Sequence, residues 1–216
     1  MIKAIVFDFD GTLVNTLYDL QDSINEALIM NGYSKQYTYE ETKKLIGSGT
    51  RVLCSRALNY IEHTIKDEEK LFNDFSSCYL KNQLNKTKPY PKVIETLEYL
   101  KKKEIKIAIL SNKVEKNTLL ISSHLFKDGL FDYILGQRKE FPLKPDSTSL
   151  KFLLNELNVN SDEVLYVGDS ETDMITADNL KVKKIAVTYG YRDISILKQY
   201  NPDYIINDFE ELISIL

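Results

Sequence analysis

At 216 residues, 43% hydrophobic and 28% charged, the chain is long enough for a full core and too rich in apolar side chains to stay disordered. Its net charge of -4 gives no broad basic field, which disfavours a nucleic-acid partner gripped through its phosphates. Cys54 and Cys78 lack metal-ligand spacing to each other or to His63 and His124, the first apolar run stops at Asp8, and no stretch is long and apolar enough to span a membrane. These features predict reduced thiols in a cytoplasmic protein, either a monomer or a homodimer.

An apolar run beginning at Ile2 leads directly into Asp8, Phe9, Asp10, Gly11 and Thr12. A short apolar run bounded by glycine reads as a buried parallel strand. Asp8 and Asp10 then fall at its carboxyl end, the edge where open α/β sheets place their ligands. Two carboxylates about 4 Å apart repel by ~1 kcal/mol in bulk water and by about 4 kcal/mol at an intermediate dielectric. The pair is therefore expected to hold a cation, share a proton, or do both.

After Thr12 the pattern becomes helical, with Leu17, Leu20, Ile24, Ala27 and Leu28 in register and Asn31-Gly32 as the stop. Thr38 followed by Glu41 signals a capping box for a short helix ending at Gly47. Two more helices are expected over Val52–Ile61 and Glu68–Leu84, the second opening near Asp67. Residues 15–87 thus read as an all-helical insertion.

From Pro89 helices and strands alternate. Strands are expected at Ile105–Leu110, around Tyr133–Leu135, and at Glu163–Val167, Lys184–Val187 and Tyr204–Ile206, with helices between them. This rhythm predicts an α/β fold with a doubly wound parallel sheet, built from residues 1–14 and 88–216, carrying residues 15–87 as a helical cap.

Three later segments converge on the same sheet edge in this reading. The strand through Leu110 ends in Ser111-Asn112, Lys144-Pro145 lies in a loop before a helix, and the strand through Val167 ends in Gly168-Asp169-Ser170-Glu171-Thr172-Asp173. The acids suit a hard, oxygen-seeking cation such as Mg²⁺, while Ser111, Lys144 and nearby backbone N–H groups suit a phosphate. Phosphoryl transfer needs that combination. A phosphomonoester repels a carboxylate nucleophile until a metal and a lysine neutralise it, and a second acid must protonate the leaving alkoxide and later activate water. Asp8 and Asp10 are suited to divide the last two roles, and Asp169 with Asp173 to complete a metal site. Taken alone, Ser111 and Asn112 also fit a helix cap, and Asp169 and Asp173 are spaced to share one face of a helical turn.

Together these motifs resemble the haloacid dehalogenase superfamily, in particular its phosphoglycolate phosphatase-like branch with a helical cap. The matching residues are Asp8-Phe9-Asp10-Gly11-Thr12-Leu13-Val14, Ser111-Asn112-Lys113, Lys144-Pro145 and Gly168-Asp169-Ser170-Glu171-Thr172-Asp173, in the family's order, with Gly190-Tyr191-Arg192 resembling a later element of the branch. The resemblance covers essentially the whole chain. It implies that Asp8 is the nucleophile and Asp10 the general acid/base. Lys144, Gly11, Thr12, Ser111 and Asn112 would surround the phosphate. Asp8, the backbone carbonyl of Asp10, and Asp169 would bind Mg²⁺, with Asp173 ligating directly or through water. The implied reaction is Mg²⁺-dependent hydrolysis of a small phosphorylated metabolite through an aspartyl-phosphate, with 2-phosphoglycolate the best single substrate. A β-phosphoglucomutase-like transfer and hydrolysis of pyrophosphate or nucleotides stand as alternatives.

Gly47-Ser48-Gly49-Thr50-Arg51 invites comparison with a phosphate loop, but no strand precedes it and no Gly-Lys-Ser/Thr ending follows. It reads as a turn between cap helices. The corresponding cap segment of the family resembles a specificity loop, which would turn Arg51 towards a substrate carboxylate.

Overall fold

The computed structural model describes all 216 residues. The chain opens with β1 (Ala4–Phe7) and, after the acidic loop, β2 (Val14–Asn15). Four helices follow in succession: α1 (Leu17–Met30), α2 (Tyr39–Leu45), α3 (Thr50–Leu58) and α4 (Ile65–Asn82). After β3 (Lys88–Pro89) come α5 (Val93–Lys102), β4 (Lys106–Val114), α6 (Glu115–Leu125), β5 (Tyr133–Gln137) and α7 (Thr148–Glu156). The chain then runs through β6 (Val164–Gly168), α8 (Glu171–Asp178), β7 (Lys183–Val187), α9 (Ile194–Leu197) and β8 (Tyr204–Ile206), and ends in a 3₁₀ segment at Phe209–Ile215. Two compact units result, one of Met1–Asn15 with Pro89–Leu216 and one of Thr16–Lys88.

The α/β unit is built on a six-stranded sheet in the order β5-β4-β1-β6-β7-β8, with every neighbouring pair parallel. Successive strands move outward from β1 on one side and then, beginning at β6, on the other. The direction of winding therefore reverses at β1, and such reversals open a crevice at the carboxyl ends of the strands. Because β1 has a strand on each side and both of its faces are covered, Ala4, Ile5, Val6 and Phe7 are all fully buried. Ala4 and Val6 share one apolar layer with Ala108, Leu110, Val164 and Tyr166, closed by Leu150, Leu153, Leu154 and Leu157 from α7 and its end. Alternate residues face the opposite layer, where Phe7 meets Phe209 at 5.6 Å between ring centroids.

The helical unit follows its sequence signals closely. Thr38 and Glu41 form the expected capping box, the Glu41 carboxylate accepting the Thr38 N–H at 2.8 Å. The turn between α2 and α3 is pinned by Arg56, which donates to the carbonyls of Leu45 and Ile46 and to Ser48 Oγ. α1 is joined to the end of the unit by Asp19, a fully buried carboxylate in its first turn. Asp19 accepts the N–H of Lys86 at 3.0 Å and, from Thr87, both the N–H at 2.8 Å and the hydroxyl at 2.7 Å.

The element boundaries differ from the sequence reading in two informative places. α4 begins at Ile65 rather than near Asp67, because Thr64 is the N-cap and Asp67 is the residue three positions on that completes its capping box. β4 does not stop at Leu110; it continues to Val114 through an irregularity after Leu110, pairing again at Val114 with Gln137. The C-terminal segment Phe209–Ile215 is a 3₁₀ helix.

Replacing Asp19 with Ala leaves two buried donors of Thr87 and the half-buried N–H of Lys86 without an acceptor, so the variant is expected to lose about 3 kcal/mol of stability. Chemical denaturation of Asp19→Ala beside the unsubstituted protein checks this. Asp19→Asn, which keeps an acceptor oxygen, should lose distinctly less.

Candidate active site

The site lies past the carboxyl ends of the three central strands. Phe7 is in register with Ile109 of β4 and Val167 of β6, so Asp8 stands level with Leu110 and Gly168, and Ser111 and Asp169 come one residue further along β4 and past β6. The Asp8 N–H donates to the Val167 carbonyl at 2.9 Å, which fixes the residue where the strand ends. Asp8, Asp169 and Asp173 are all buried and offer carboxylate oxygens that lie within 4.8 Å of one another.

Lys144 is driven into this cluster. Its side chain is 3% exposed, and its ammonium lies 2.9 Å from Asp8 Oδ1 and 2.6 Å from Asp173 Oδ1. It also donates to the Leu110 carbonyl at 3.0 Å and the Tyr166 hydroxyl at 3.1 Å. Asn112 holds the lysine's backbone from both sides, accepting the Lys144 N–H at 2.8 Å and donating to the Lys144 carbonyl at 3.0 Å. Both polar groups of the Asn112 amide are therefore engaged with the loop that carries the lysine.

Asp173 is the third helical residue of α8 and completes a capping box with Ser170, accepting the Ser170 N–H at 3.0 Å. Its other oxygen receives Lys144 and, at 3.2 Å, the Tyr166 hydroxyl. Asp169 precedes the helix. The shared helical face suggested by the four-residue spacing is therefore replaced by a loop-and-helix pair, with Asp169 held by the Tyr191 N–H at 2.7 Å and approached by the Thr12 hydroxyl at 3.4 Å. Gly190 allows this approach, since a Cβ there would stand 2.2 Å from the Asp169 Cβ. Gly11, at φ +87°, turns the chain directly after Asp10 in a conformation that side chains rarely adopt.

Burial raises the Asp8 carboxyl to a pKa of about 7, with Asp173 adding to the effect and Lys144 opposing it. Burial likewise pushes Asp169 well above the usual carboxylate range, reinforced by the charges of Asp8 and Asp173. For Lys144 burial works against the charge, but Asp173 and Asp8 together outweigh it and hold the ammonium well above the usual lysine value. When all three are ionised, the carboxylates outnumber the one ammonium in contact with them, and Arg192 adds positive charge only on the Asp169 side. An all-oxygen donor set of this size with that deficit fits a hard divalent cation.

The remaining predicted site residues are placed as follows. Asp10 stands at the edge of the cluster with its Oδ1 2.9 Å from the Lys113 ammonium. Ser111 is 5% exposed and accepts the Lys113 N–H at 3.2 Å. Neither Ser111 nor Asn112 caps α6, whose N-cap is Val114 with no side-chain cap. Arg51 belongs to the helical unit, where its exposed side chain lies 3.7 Å from Glu69 and over the Phe72 ring. Tyr166 and Lys113 were given no role on sequence grounds. A hydroxyl-bearing side chain within the otherwise apolar run Val164–Val167 was the available signal for the first, and the position of Lys113 beside Ser111-Asn112 for the second.

The haloacid dehalogenase-like hydrolase family model matches residues 5–187, which include every strand-end residue of this site. The phosphoglycolate phosphatase of Haemophilus influenzae is 34% identical over 220 residues, covering 99% of this chain and 98% of the relative. That of Agrobacterium fabrum is also 34% identical, covering 96% and 89%. Among solved structures, a predicted phosphoglycolate phosphatase from Haemophilus somnus superposes with a TM-score of 0.92 at 33% identity, covering 99% of this chain and 97% of that one. The fold alone extends to CbbY of Rhodobacter sphaeroides, solved in complex with phosphate, at a TM-score of 0.81 and 19% identity. The chain belongs to the haloacid dehalogenase-like hydrolase family.

Proposed function

We propose that the protein hydrolyses a small phosphomonoester through an aspartyl-phosphate on Asp8, and that 2-phosphoglycolate is its substrate. The observation that carries this reading is the Lys144 ammonium clamped between Asp8 and Asp173 inside a buried three-carboxylate cluster. That arrangement suits a carboxylate that must meet a dianionic phosphate. The substrate comes from the relatives named as phosphoglycolate phosphatases over nearly their full length.

In this reading a carboxylate oxygen of Asp8 attacks phosphorus, the bond from phosphorus to the ester oxygen breaks, and Asp10 gives its proton to the departing alkoxide. Asp10 then takes a proton from a water whose oxygen attacks the same phosphorus, releasing phosphate and restoring the Asp8 carboxylate. Lys144 and Ser111 hold the phosphoryl oxygens, and the backbone of Gly11 and Thr12, directly after Asp10, offers further N–H groups to them. Asn112 keeps Lys144 in place. Asp8, the backbone carbonyl of Asp10, Asp169 and Asp173 would hold Mg²⁺, which when bound supplies positive charge to the phosphoryl oxygens. Residues 15–87 form the helical cap domain and residues 1–14 and 88–216 the core domain. The cytoplasm is the proposed location, in keeping with the buried free thiols of Cys54 and Cys78.

Purified protein with Mg²⁺ is expected to release phosphate from 2-phosphoglycolate in preference to sugar phosphates, nucleotides and pyrophosphate; no release from any of them would refute the proposal. Asp8→Asn should abolish turnover while the protein stays folded, and Asp10→Asn should slow it by about 100-fold or more. Normal turnover by either variant would reverse the role assignment.

Cation binding is separately measurable. Adding Mg²⁺ to chelator-treated protein should raise the thermal midpoint, by an amount corresponding to about 2.7 kcal/mol when the ion is at 100 times its dissociation constant. Gly190→Ala, which pushes Asp169 out of place, is expected to lose most of that shift and about 100-fold in rate. An unchanged Mg²⁺ response in Gly190→Ala would show that Asp169 is not a ligand.

A further inference from the structure

Two lysines stand at the site with different surroundings. Lys144 is committed to Asp8 and Asp173, and so to the phosphoryl side. Lys113 lies at the other acid, its side chain 7% exposed and its ammonium 2.9 Å from Asp10 Oδ1. Arg192 belongs to the Asp169 side, with its Nε 3.1 Å from Glu171. Positive charge is thus available where the leaving group departs, and Lys113 supplies it.

2-Phosphoglycolate carries a third negative charge beyond its phosphate, on a carboxylate attached to the leaving oxygen through one methylene. If Asp10 protonates that oxygen, a hydrogen-bond length on each side of the Asp10 carboxylate puts the Lys113 ammonium roughly 6–8 Å from it. The substrate carboxylate reaches roughly 3–4 Å from the same oxygen, so a substrate extended towards Lys113 leaves roughly 2–5 Å between carboxylate and ammonium, a range that spans a hydrogen-bond length. A nearly buried ammonium at that distance forms a charge-assisted hydrogen bond stronger than an exposed pair would give.

We propose that Lys113 recognises the carboxylate of the leaving group and is the residue that selects 2-phosphoglycolate over phosphomonoesters lacking a second anion. This rests on the phosphatase reading above and adds to it a residue outside the nucleophile, acid and metal set.

The test compares kcat/KM for 2-phosphoglycolate with that for ethyl phosphate, which replaces the carboxylate by a methyl group and keeps the phosphate and the ester oxygen. Any effect that Lys113 exerts through Asp10 acts on both substrates and cancels in the ratio. The unsubstituted protein should favour 2-phosphoglycolate, Lys113→Met should reduce that preference by about 10- to 100-fold, and Lys113→Arg should retain most of it. Circular dichroism confirms that each variant is folded, with Lys113→Gln replacing Lys113→Met if the latter is not. A ratio in the neutral variant within about twofold of the starting value overturns the proposal, as does loss of the preference in Arg51→Met but not in Lys113→Met. Absence of turnover on both substrates by the unsubstituted protein refutes the phosphatase reading itself, whereas turnover without preference refutes only the role of Lys113.

Discussion

The ammonium of Lys144 is the charge on which the rest of the site depends. Taking a lysine and three carboxylates out of water costs several kcal/mol per ion, and only close opposite charges and hydrogen bonds offset it. Lys144 meets this requirement with two carboxylates, a carbonyl and a tyrosine hydroxyl within 3.1 Å. Burial, reinforced by the neighbouring carboxylates, still holds Asp8 and Asp169 above the usual carboxylate range. A cluster so arranged is poorly suited to stability alone and well suited to a divalent cation and a phosphate that bring their charges with them.

The sheet makes that concentration of charge achievable. Winding reverses at β1, so β4 and β6 flank it and three strand ends open into one crevice. Their residues come from positions about a hundred and a further sixty apart in the chain, yet the parallel register brings them to one edge of the sheet. The helix that follows β6 contributes its first turn: Asp173 serves α8 as a capping residue and the site as an acid with the same carboxylate. Glycines at 11 and 190 remove the side chains that would otherwise displace Asp169.

Much of this was legible in the chain. The change from period-two to helical patterning after Thr12, the long helical run, and the later alternation indicated an α/β sheet with a helical insertion, because burial periodicity is a local property of sequence. The four motifs identified the family for the same reason: each is a short, contiguous set of residues. What was not legible also has physical reasons. Ser111 and Asn112 looked like a helix cap, but β4 continues past them through its irregularity, and strand pairing with Gln137 is a long-range event. Asp169 and Asp173 have helical spacing, but a cap at Ser170 starts the helix between them. Asn112 carried the pattern of a phosphate ligand and is engaged with the Lys144 backbone, a contact across thirty-two residues.

The sequence by itself determined which groups are present and in what order: two acids after a buried strand, a serine and a lysine, and a second pair of acids. It also determined the secondary structure that carries them, since periodicity, caps and turn residues act over a few positions. Only the tertiary structure decided which groups meet. It set Lys144 between Asp8 and Asp173, brought the Tyr166 hydroxyl to Lys144 and Asp173, and placed Lys113 against Asp10. Those pairings depend on strand order and register, which are fixed by how the whole sheet buries its two faces and not by any one segment.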